Sequence, residues 1–371
     1  MLVGVPKEIK THEYRVGLTP GSVREYVARG HRVLVQSGAG AGIGAGDDIY
    51  KSAGAGIAAD AAEVFAKAEM VVKVKEPQPQ EWKQLRPGQI LFTYLHLAPD
   101  PQQTKGLLES GVTGVAYETV TDSRGGLPLL APMSEVAGRL SVEAAGAALR
   151  RFAGGPGLLL GGVPGVLPAN VLVLGGGVVG THAARMAVGL GASVTVLDRS
   201  IERLRQLDEL FEGRARTRFS SIATIEEELA AADVVIGAVL VPGASAPKLV
   251  TRAAISTMKP NAVLVDVAID QGGCFETSRA TTHDQPTYEV EGRVHYCVAN
   301  MPGAVPLTSS EALNNATLPF GLALADGGLD ALRGNAGLRA GLNVHRGMVT
   351  NQAVAESLGL AFTSVEKVLA N

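Results

Sequence analysis

The sequence predicts an α/β protein whose parallel sheets are covered by helices. Three observations carry this. Short apolar, β-branched runs alternate with helix-length amphipathic segments from end to end, the pattern of βαβ units. The runs are nearly continuous in apolar residues rather than alternating with polar ones, which implies burial on both faces. Residues 171–198 read strand, glycine-rich turn, helix, strand, in that order.

Along the chain, strands are predicted at residues 33–35, 71–74, 90–97, 171–174, 194–197, 234–239, 262–269 and 295–299. A helix over 134–152 runs into a Gly/Pro-rich stretch, 154–168 (GGPGLLLGGVPGVLP), which reads as a domain junction. A second helix is predicted over 308–326, and the tail beyond it is too short for a core of its own, so it is expected to fold back on the first domain. At roughly 150 residues per domain, 371 residues suggest two domains.

Composition narrows the function. Hydrophobic residues make up 46% and charged residues 19%, which excludes disorder, and a net charge of −3 leaves no footprint for nucleic acid or an anionic membrane. A small molecule is the expected partner. The only cysteines, Cys274 and Cys297, have neither C-x-x-C nor His spacing, so a disulfide framework and a structural zinc site lack support; no metal and a cytoplasmic location are expected. Charges at Lys7, Glu8 and Lys10 do not fit a signal peptide, and no apolar run approaches the roughly 18–20 residues of a membrane span, so a soluble chain is expected.

The strongest motif begins at VLVLGGGVVG and extends to the end of the next strand. Gly175, Gly177 and Gly180 form G-x-G-x-x-G between a strand and a helix, and the strand after that helix ends on Asp198. The first glycine permits the tight turn, the second lets the backbone approach a pyrophosphate, the third lets the helix pack on the strand, and the helix N-terminus offers free N–H groups. Asp198 would accept from ribose hydroxyls and repel a 2′-phosphate, so NAD is predicted over NADP, although Arg199 beside it is a group that could favour the phosphate. A second match, Gly40, Gly42 and Ala45, is succeeded by a glycine-containing stretch that makes a poor helix, and it reads as structural.

In open α/β sheets ligands bind outside the carboxyl ends of strands, so charges there matter most. Lys75 comes directly after residues 71–74, His96 sits near the end of 90–97, Asp270 closes 262–269, and Arg15 lies on a predicted loop. Each has a bland explanation. Lys73 and Lys75 have the spacing of a solvated strand face, a lone His in an apolar run is more often a satisfied core residue, Asp before Gly-Gly is usually a turn former, and Arg15 alone would be a surface residue. Together they supply cations for a carboxylate, an imidazole that exchanges protons near neutral pH, and an acid in the fingerprint domain. The set implies a redox step on a small acid. No G-x-S-x-G, H-E-x-x-H, Walker A or EF-hand pattern supports a rival chemistry.

At these residues the sequence resembles the NAD-dependent alanine dehydrogenases, whose close relative is the nicotinamide-binding alpha chain of proton-translocating transhydrogenase. The resemblance runs almost end to end, through GVPKEIKTHEYRVGLTP, VKVKEP, LFTYLHLA, LLAPMSEVAGRL, VLGGGVVG, GAVLVPGASAPKLV, VLVDVAIDQGGCFETSRATTHDQPT and YCVANMPGAVP. It implies two Rossmann-like doubly wound domains: a discontinuous substrate domain (1–128 and 308–371) and an NAD-binding domain (129–307). It implies reversible oxidative deamination of L-alanine to pyruvate and ammonia, and a homohexamer. Carried onto matching positions, Arg15 and Lys75 hold the substrate carboxylate and carbonyl oxygen, His96 is the acid/base, and Asp270 handles the water or ammonia that adds at C2. NAD contacts fall on Ser134, Val178, Val179, Asp198, Ser220, Val239, Leu240, Ile269, Arg279, Asn300 and Met301.

The residue types suit that chemistry. Hydride leaving C2 produces an iminium, to which water adds and from which ammonia leaves, with proton transfers that a His of pKa about 6.5 serves. The chain departs from the family at His12 and Gly17, where Asn and Ala are usual, and at Arg203, which replaces a cofactor-contacting Lys and alters the geometry expected around the adenosine ribose. Alternatives are a soluble NAD(H)-binding transhydrogenase alpha subunit, which lacks the Lys75 and His96 pairing, and an amino-acid dehydrogenase using a larger amine. Domain closure is expected to hinge near 154–168 or 301–306.

Overall fold

The structure, a computed structural model, describes residues 1–239 and 246–370. The chain forms two units, Met1–Met133 with Gly303–Asn371, and Ser134–Pro302. The first contributes β1 (Leu2–Val5), β2 (Arg32–Gln36), β3 (Gly56–Ala58), β4 (Met70–Val72), β5 (Ile90–Thr93) and β6 (Thr113–Ala116). The second adds β7 (Asn170–Leu174), β8 (Ser193–Asp198), β9 (Ala215–Phe219), β10 (Val234–Gly237), β11 (Val263–Asp266), β12 (Thr287–Val290) and β13 (Arg293–Tyr296). The chain then returns to the first sheet with β14 (Leu342–His345) and β15 (Met348–Val349).

Both sheets repeat one plan. The first runs β15-β14-β6-β5-β4-β1-β2-β3 and the second β12-β13-β11-β10-β7-β8-β9. Each has a parallel centre in the strand order of a doubly wound dinucleotide fold, with the order reversing beside β1 and beside β7. The edges differ from the centre: β14 is antiparallel to β6, β15 to β14, and β12 to β13. Burial on both faces is visible in β7, where Val171 and Val173 enter one apolar cluster with Ala183 and Ala187, while Leu172 and Leu174 enter another with Leu264 and Phe275.

Several predicted boundaries are corrected. Three predicted runs outlast their strands, since β4 stops at Val72, β5 at Thr93 and β11 at Asp266, and the chain beyond each stays largely buried outside the sheet, with His96 the exposed exception. The Gly/Pro stretch 154–168 is not a junction; it lies inside the second unit. There the helix Ala131–Ala148 ends earlier than predicted, Gly154 adopts a left-handed φ of 92°, and the Gly157 N–H donates to the Leu149 carbonyl at 2.9 Å. Its glycines and prolines serve turns that fold back on the helix, burying Leu160 in the core. The change of unit falls at Met133 and Ser134, within that helix.

The helix Pro306–Gly327 carries Pro319 inside it. The second glycine triplet forms no dinucleotide turn: a Cβ on Gly40 would meet Tyr50 at 2.5 Å and one on Gly42 the Tyr14 carbonyl oxygen at 2.1 Å, so both serve close packing.

Buried histidines make stability depend on pH. His295 is fully enclosed, its Nδ1–H donates to the Arg293 carbonyl at 3.1 Å and its Nε2 accepts from the Thr277 hydroxyl at 2.7 Å. Burial, chiefly, lowers its pKa from 6.5, and the same cause lowers His345. Above that value both folded and unfolded chains hold a neutral ring. Below it the unfolded chain takes up protons first, so stability falls as pH drops. The melting temperature is expected to decline from pH 7 to 5.5, and His295→Asn to flatten that decline; an unchanged slope in the variant contradicts this account.

Candidate functional site

In the first unit the predicted residues converge. Arg15, far from being a surface residue, is only 2% exposed. Its Nε and Nη2 donate to the two Glu13 oxygens at 2.7 and 2.5 Å, and its Nη1 lies 3.0 Å from Met133 Sδ. Burial alone would lower the guanidinium pKa, and the bidentate bond to Glu13 more than offsets it, so the charge is secure. Lys75 is buried, its Nζ 3.7 Å from Glu76, and Lys10 binds the other Glu76 oxygen. Although burial pushes the Glu76 carboxyl up, Lys75 and Lys10 outweigh it and hold its pKa at about 2, with His96 adding to the pull.

His96 is not a core histidine. Its side chain is 41% exposed and its backbone left-handed at φ 46°, with the imidazole stacked on Tyr94 (5.6 Å between centroids, 4° between planes). Glu118 makes that conformation possible. Its carboxylate accepts the His96 N–H at 2.6 Å and the Leu95 N–H at 3.2 Å, and one oxygen lies 3.8 Å from His96 Nδ1. The Tyr94 phenol in turn feels Arg15 and Glu118, which places Arg15, Tyr94 and His96 in one neighbourhood. His12, by contrast, is occupied with the Tyr14 phenol at 3.1 Å.

In the second unit the glycine motif has the shape its spacing predicts. Gly175 sits at φ 98°, and a Cβ on Gly180 would lie 1.8 Å from the Gly175 carbonyl oxygen. The helix Val178–Gly189 starts from Gly177, where no side chain caps the free N–H groups and an added Cβ would meet nothing within 4 Å. That open, positively polarised end fits a dinucleotide's phosphates. Val178 and Val179 form the first turn, and Val239 lies against Gly175. Leu240 falls outside the described residues.

Asp198 and Arg203 hold Gly176 from both sides, one through its N–H and the other through its carbonyl. Asp198 Oδ2 accepts the Gly176 N–H at 2.7 Å and Oδ1 accepts Ser200 N–H at 2.8 Å. Arg203 donates from Nε to the Gly176 carbonyl at 2.6 Å, from Nη2 to the Thr181 hydroxyl at 2.7 Å and from Nη1 to Gln206 at 2.8 Å. The arginine thus braces the glycine turn itself. Ser220 N–H donates to the Asp198 carbonyl at 2.9 Å. Arg279 lies over the Tyr288 ring at 4.1 Å, Asn300 is left-handed at φ 60°, Met301 is buried, and Ser134 stands on the helix Ala131–Ala148.

Asp270 is exposed on the short turn Ile269–Gln271, and the acid that ties the main chain of this loop is Asp266. That buried carboxylate accepts the Ala268 and Cys274 N–H groups at 3.1 and 2.7 Å and the Ser278 hydroxyl at 2.5 Å. Burial raises its pKa while those bonds pull the other way.

One pattern carries no signal in the sequence. Lys75, His96 and Asp270 each lie just beyond a strand end whose free N–H groups are taken by an acid, respectively the buried Glu8, the half-buried Glu118 and the buried Asp266. Lys73 likewise faces no solvent; it is fully buried between Glu8 and Glu81.

Family models described as the alanine dehydrogenase/PNT N-terminal and C-terminal domains match residues 4–137 and 141–352. An alanine dehydrogenase of Halomonas elongata is 59% identical over 370 residues, covering 100% of both chains. A solved L-alanine dehydrogenase superposes with a TM-score of 0.94 at 52% identity, covering 97% of this chain and 99% of that one. A transhydrogenase from Sinorhizobium meliloti gives a TM-score of 0.82 at 26% identity, covering 94% and 100%. On matches that span it almost from end to end, this chain belongs to the alanine dehydrogenase/PNT family.

Proposed function

We propose that the protein is an L-alanine dehydrogenase, interconverting L-alanine and water with pyruvate and ammonia at the expense of NAD. The observation that carries this is the Arg15, Lys75 and His96 neighbourhood, a carboxylate-binding and proton-exchanging set, in a chain of this family that also bears a dinucleotide turn. NAD, when bound, supplies the hydride acceptor. Gly175, Gly177, Val178 and Val179 hold its phosphates, Gly180 seats the helix that presents them, Asp198 holds its ribose, and Ser134, Ser220, Val239, Leu240, Ile269, Arg279, Asn300 and Met301 its remaining parts.

Arg15 binds the substrate carboxylate, and because Glu13 fixes its planar fork, the carboxylate meets an oriented cation. Lys75 donates to the carbonyl oxygen of pyruvate. The His96 imidazole takes a proton as water adds at C2 and returns it as ammonia leaves, and Asp270 orients the water. The exposure of His96 lets its ring reload from solvent between turnovers.

Absorbance at 340 nm tests the reading, with NAD and L-alanine in one direction and NADH, pyruvate and ammonium in the other. Turnover on both pairs supports it. NADH binding without turnover points to a transhydrogenase subunit, and turnover only with larger amines to the other alternative. NAD is expected to outperform NADP, because Asp198 faces the turn and Arg203 is committed to Gly176 and Thr181; equal rates with the two contradict this.

A homohexamer in the cytoplasm completes the proposal. Phe152, Leu159 and Leu167 stand exposed at 86%, 63% and 84%, apolar side chains available to self-association, and light scattering at six times 38.3 kDa is the expected result. No described helix is long and apolar enough to cross a membrane.

A further inference from the structure

The segment that carries Lys75 is held in an unusual way. Beyond Val72 the chain leaves the strand and bends at Val74 and Lys75, and on one side it keeps main-chain partners: the Lys73 N–H donates to the Phe92 carbonyl and the Tyr94 N–H to the Val74 carbonyl, both at 3.2 Å. Two hydroxyls secure its carbonyls, Tyr117 on Lys73 and Thr93 on Lys75, each at 3.0 Å. On the other side no strand continues. Glu8 Oε1 stands in for one, accepting the Val74 N–H at 2.7 Å and lying 3.4 Å from the Lys75 N–H.

What keeps Glu8 there is Lys73. Its ammonium donates to Glu8 Oε2 at 2.9 Å and to Glu81 Oε1 at 2.8 Å, and Glu81 Oε2 accepts the Gln78 N–H at 2.7 Å, at the start of the short helix Pro79–Trp82. The three side chains are 0%, 2% and 3% exposed, so Lys73 is sealed from substrate. Burial pushes the Glu8 carboxyl up and the Lys73 charge opposes it. A buried pair of this kind is weak support for stability, because an apolar core of the same volume would serve as well.

We propose that Lys73 is a positioning residue for Lys75: through Glu8 it fixes the main chain at Val74 and Lys75, and so the direction in which the Lys75 ammonium meets the substrate carbonyl. The inference rests on the role given to Lys75 above. Misplacing a substrate-binding group by about 1 Å costs up to roughly 100-fold, which sets the scale of the effect.

The test compares Lys73→Met, Glu8→Gln, Glu81→Gln and Lys75→Met by steady-state kinetics with pyruvate, ammonium and NADH, alongside NADH titration by fluorescence. Lys73→Met and Glu8→Gln are expected to raise the KM for pyruvate on the order of 10-fold or more with NADH affinity unchanged, because the dinucleotide turn lies in the other unit. Glu81→Gln, which leaves the Lys73–Glu8 contact in place, is expected to keep the parental KM within about twofold. A merely structural role would lower the active fraction, and hence apparent kcat, in all three without moving KM, and that result overturns the inference. Should Lys73→Met fail to fold, Glu8→Gln retains the shape of the side chain and decides the matter. Unchanged pyruvate kinetics in Lys75→Met would instead overturn the functional reading beneath it.

Discussion

His96→Asn is expected to lower kcat on the order of 10² to 10⁴-fold while NADH binding survives. Asparagine is the informative replacement because residue 96 has a left-handed backbone at φ 46°, which Asn tolerates better than most side chains. The Glu118 carboxylate hydrogen-bonds the main chain at Leu95 and His96 besides lying 3.8 Å from the imidazole, so the grip on the loop remains when the ring is lost. What disappears is the imidazole to which the proton transfers are assigned. Steady-state rates with NADH titration on the same preparation check this. A kcat within tenfold of the parent would move the acid/base role elsewhere, with Asp270→Asn the next variant to measure.

The second large effect lies in the glycine turn. Gly180→Ala is expected to cost about 1–3 kcal/mol of stability and to weaken NADH binding severely, since the new methyl would lie 1.8 Å from the Gly175 carbonyl oxygen and 3.1 Å from Val173 Cγ1. The helix Val178–Gly189 must back away from β7, and the N–H groups at its start move with it. Gly177→Ala makes the contrast. Its methyl enters open space, so the melting temperature should hold while NADH binding falls, because the backbone there can no longer approach the pyrophosphate closely. Equal melting and equal binding losses in the two variants would contradict separate roles for the two glycines.

Much of this is legible in the sequence. Continuous apolar runs locate the strands, and the glycine spacing locates the turn, since only a residue without Cβ fits at 180 and a positive φ is required at 175. The strand ends are not legible, because most of 73–75, 94–97 and 267–269, the lysines Lys73 and Lys75 included, stays buried after leaving the sheets. Burial, not hydrogen bonding, is what an apolar run reports. Nor can the sequence reveal Glu8, Glu118 and Asp266. Each is a lone acid without a spacing signature, and Glu8 meets Val74 only because the fold brings together positions 66 residues apart. Arg15 reads as an ordinary surface residue for a related reason: its burial depends on Glu13 neutralising it within the core. Glycine and proline in 154–168 suggest a junction, whereas the second unit uses them for turns against its own helix.

The discontinuity of the first unit also dictates an order of assembly. β6 ends at Ala116, but β14, the strand that pairs with its outer edge, begins only at Leu342. At roughly 5–20 residues per second the ribosome needs on the order of tens of seconds to cover that interval. Throughout it, the whole Ser134–Pro302 unit can emerge and fold while the β6 edge stands bare, a template for any passing extended chain. The newborn protein is therefore most vulnerable to aggregation through β6, and chaperone dependence should track how soon β14 arrives rather than the stability of the finished enzyme.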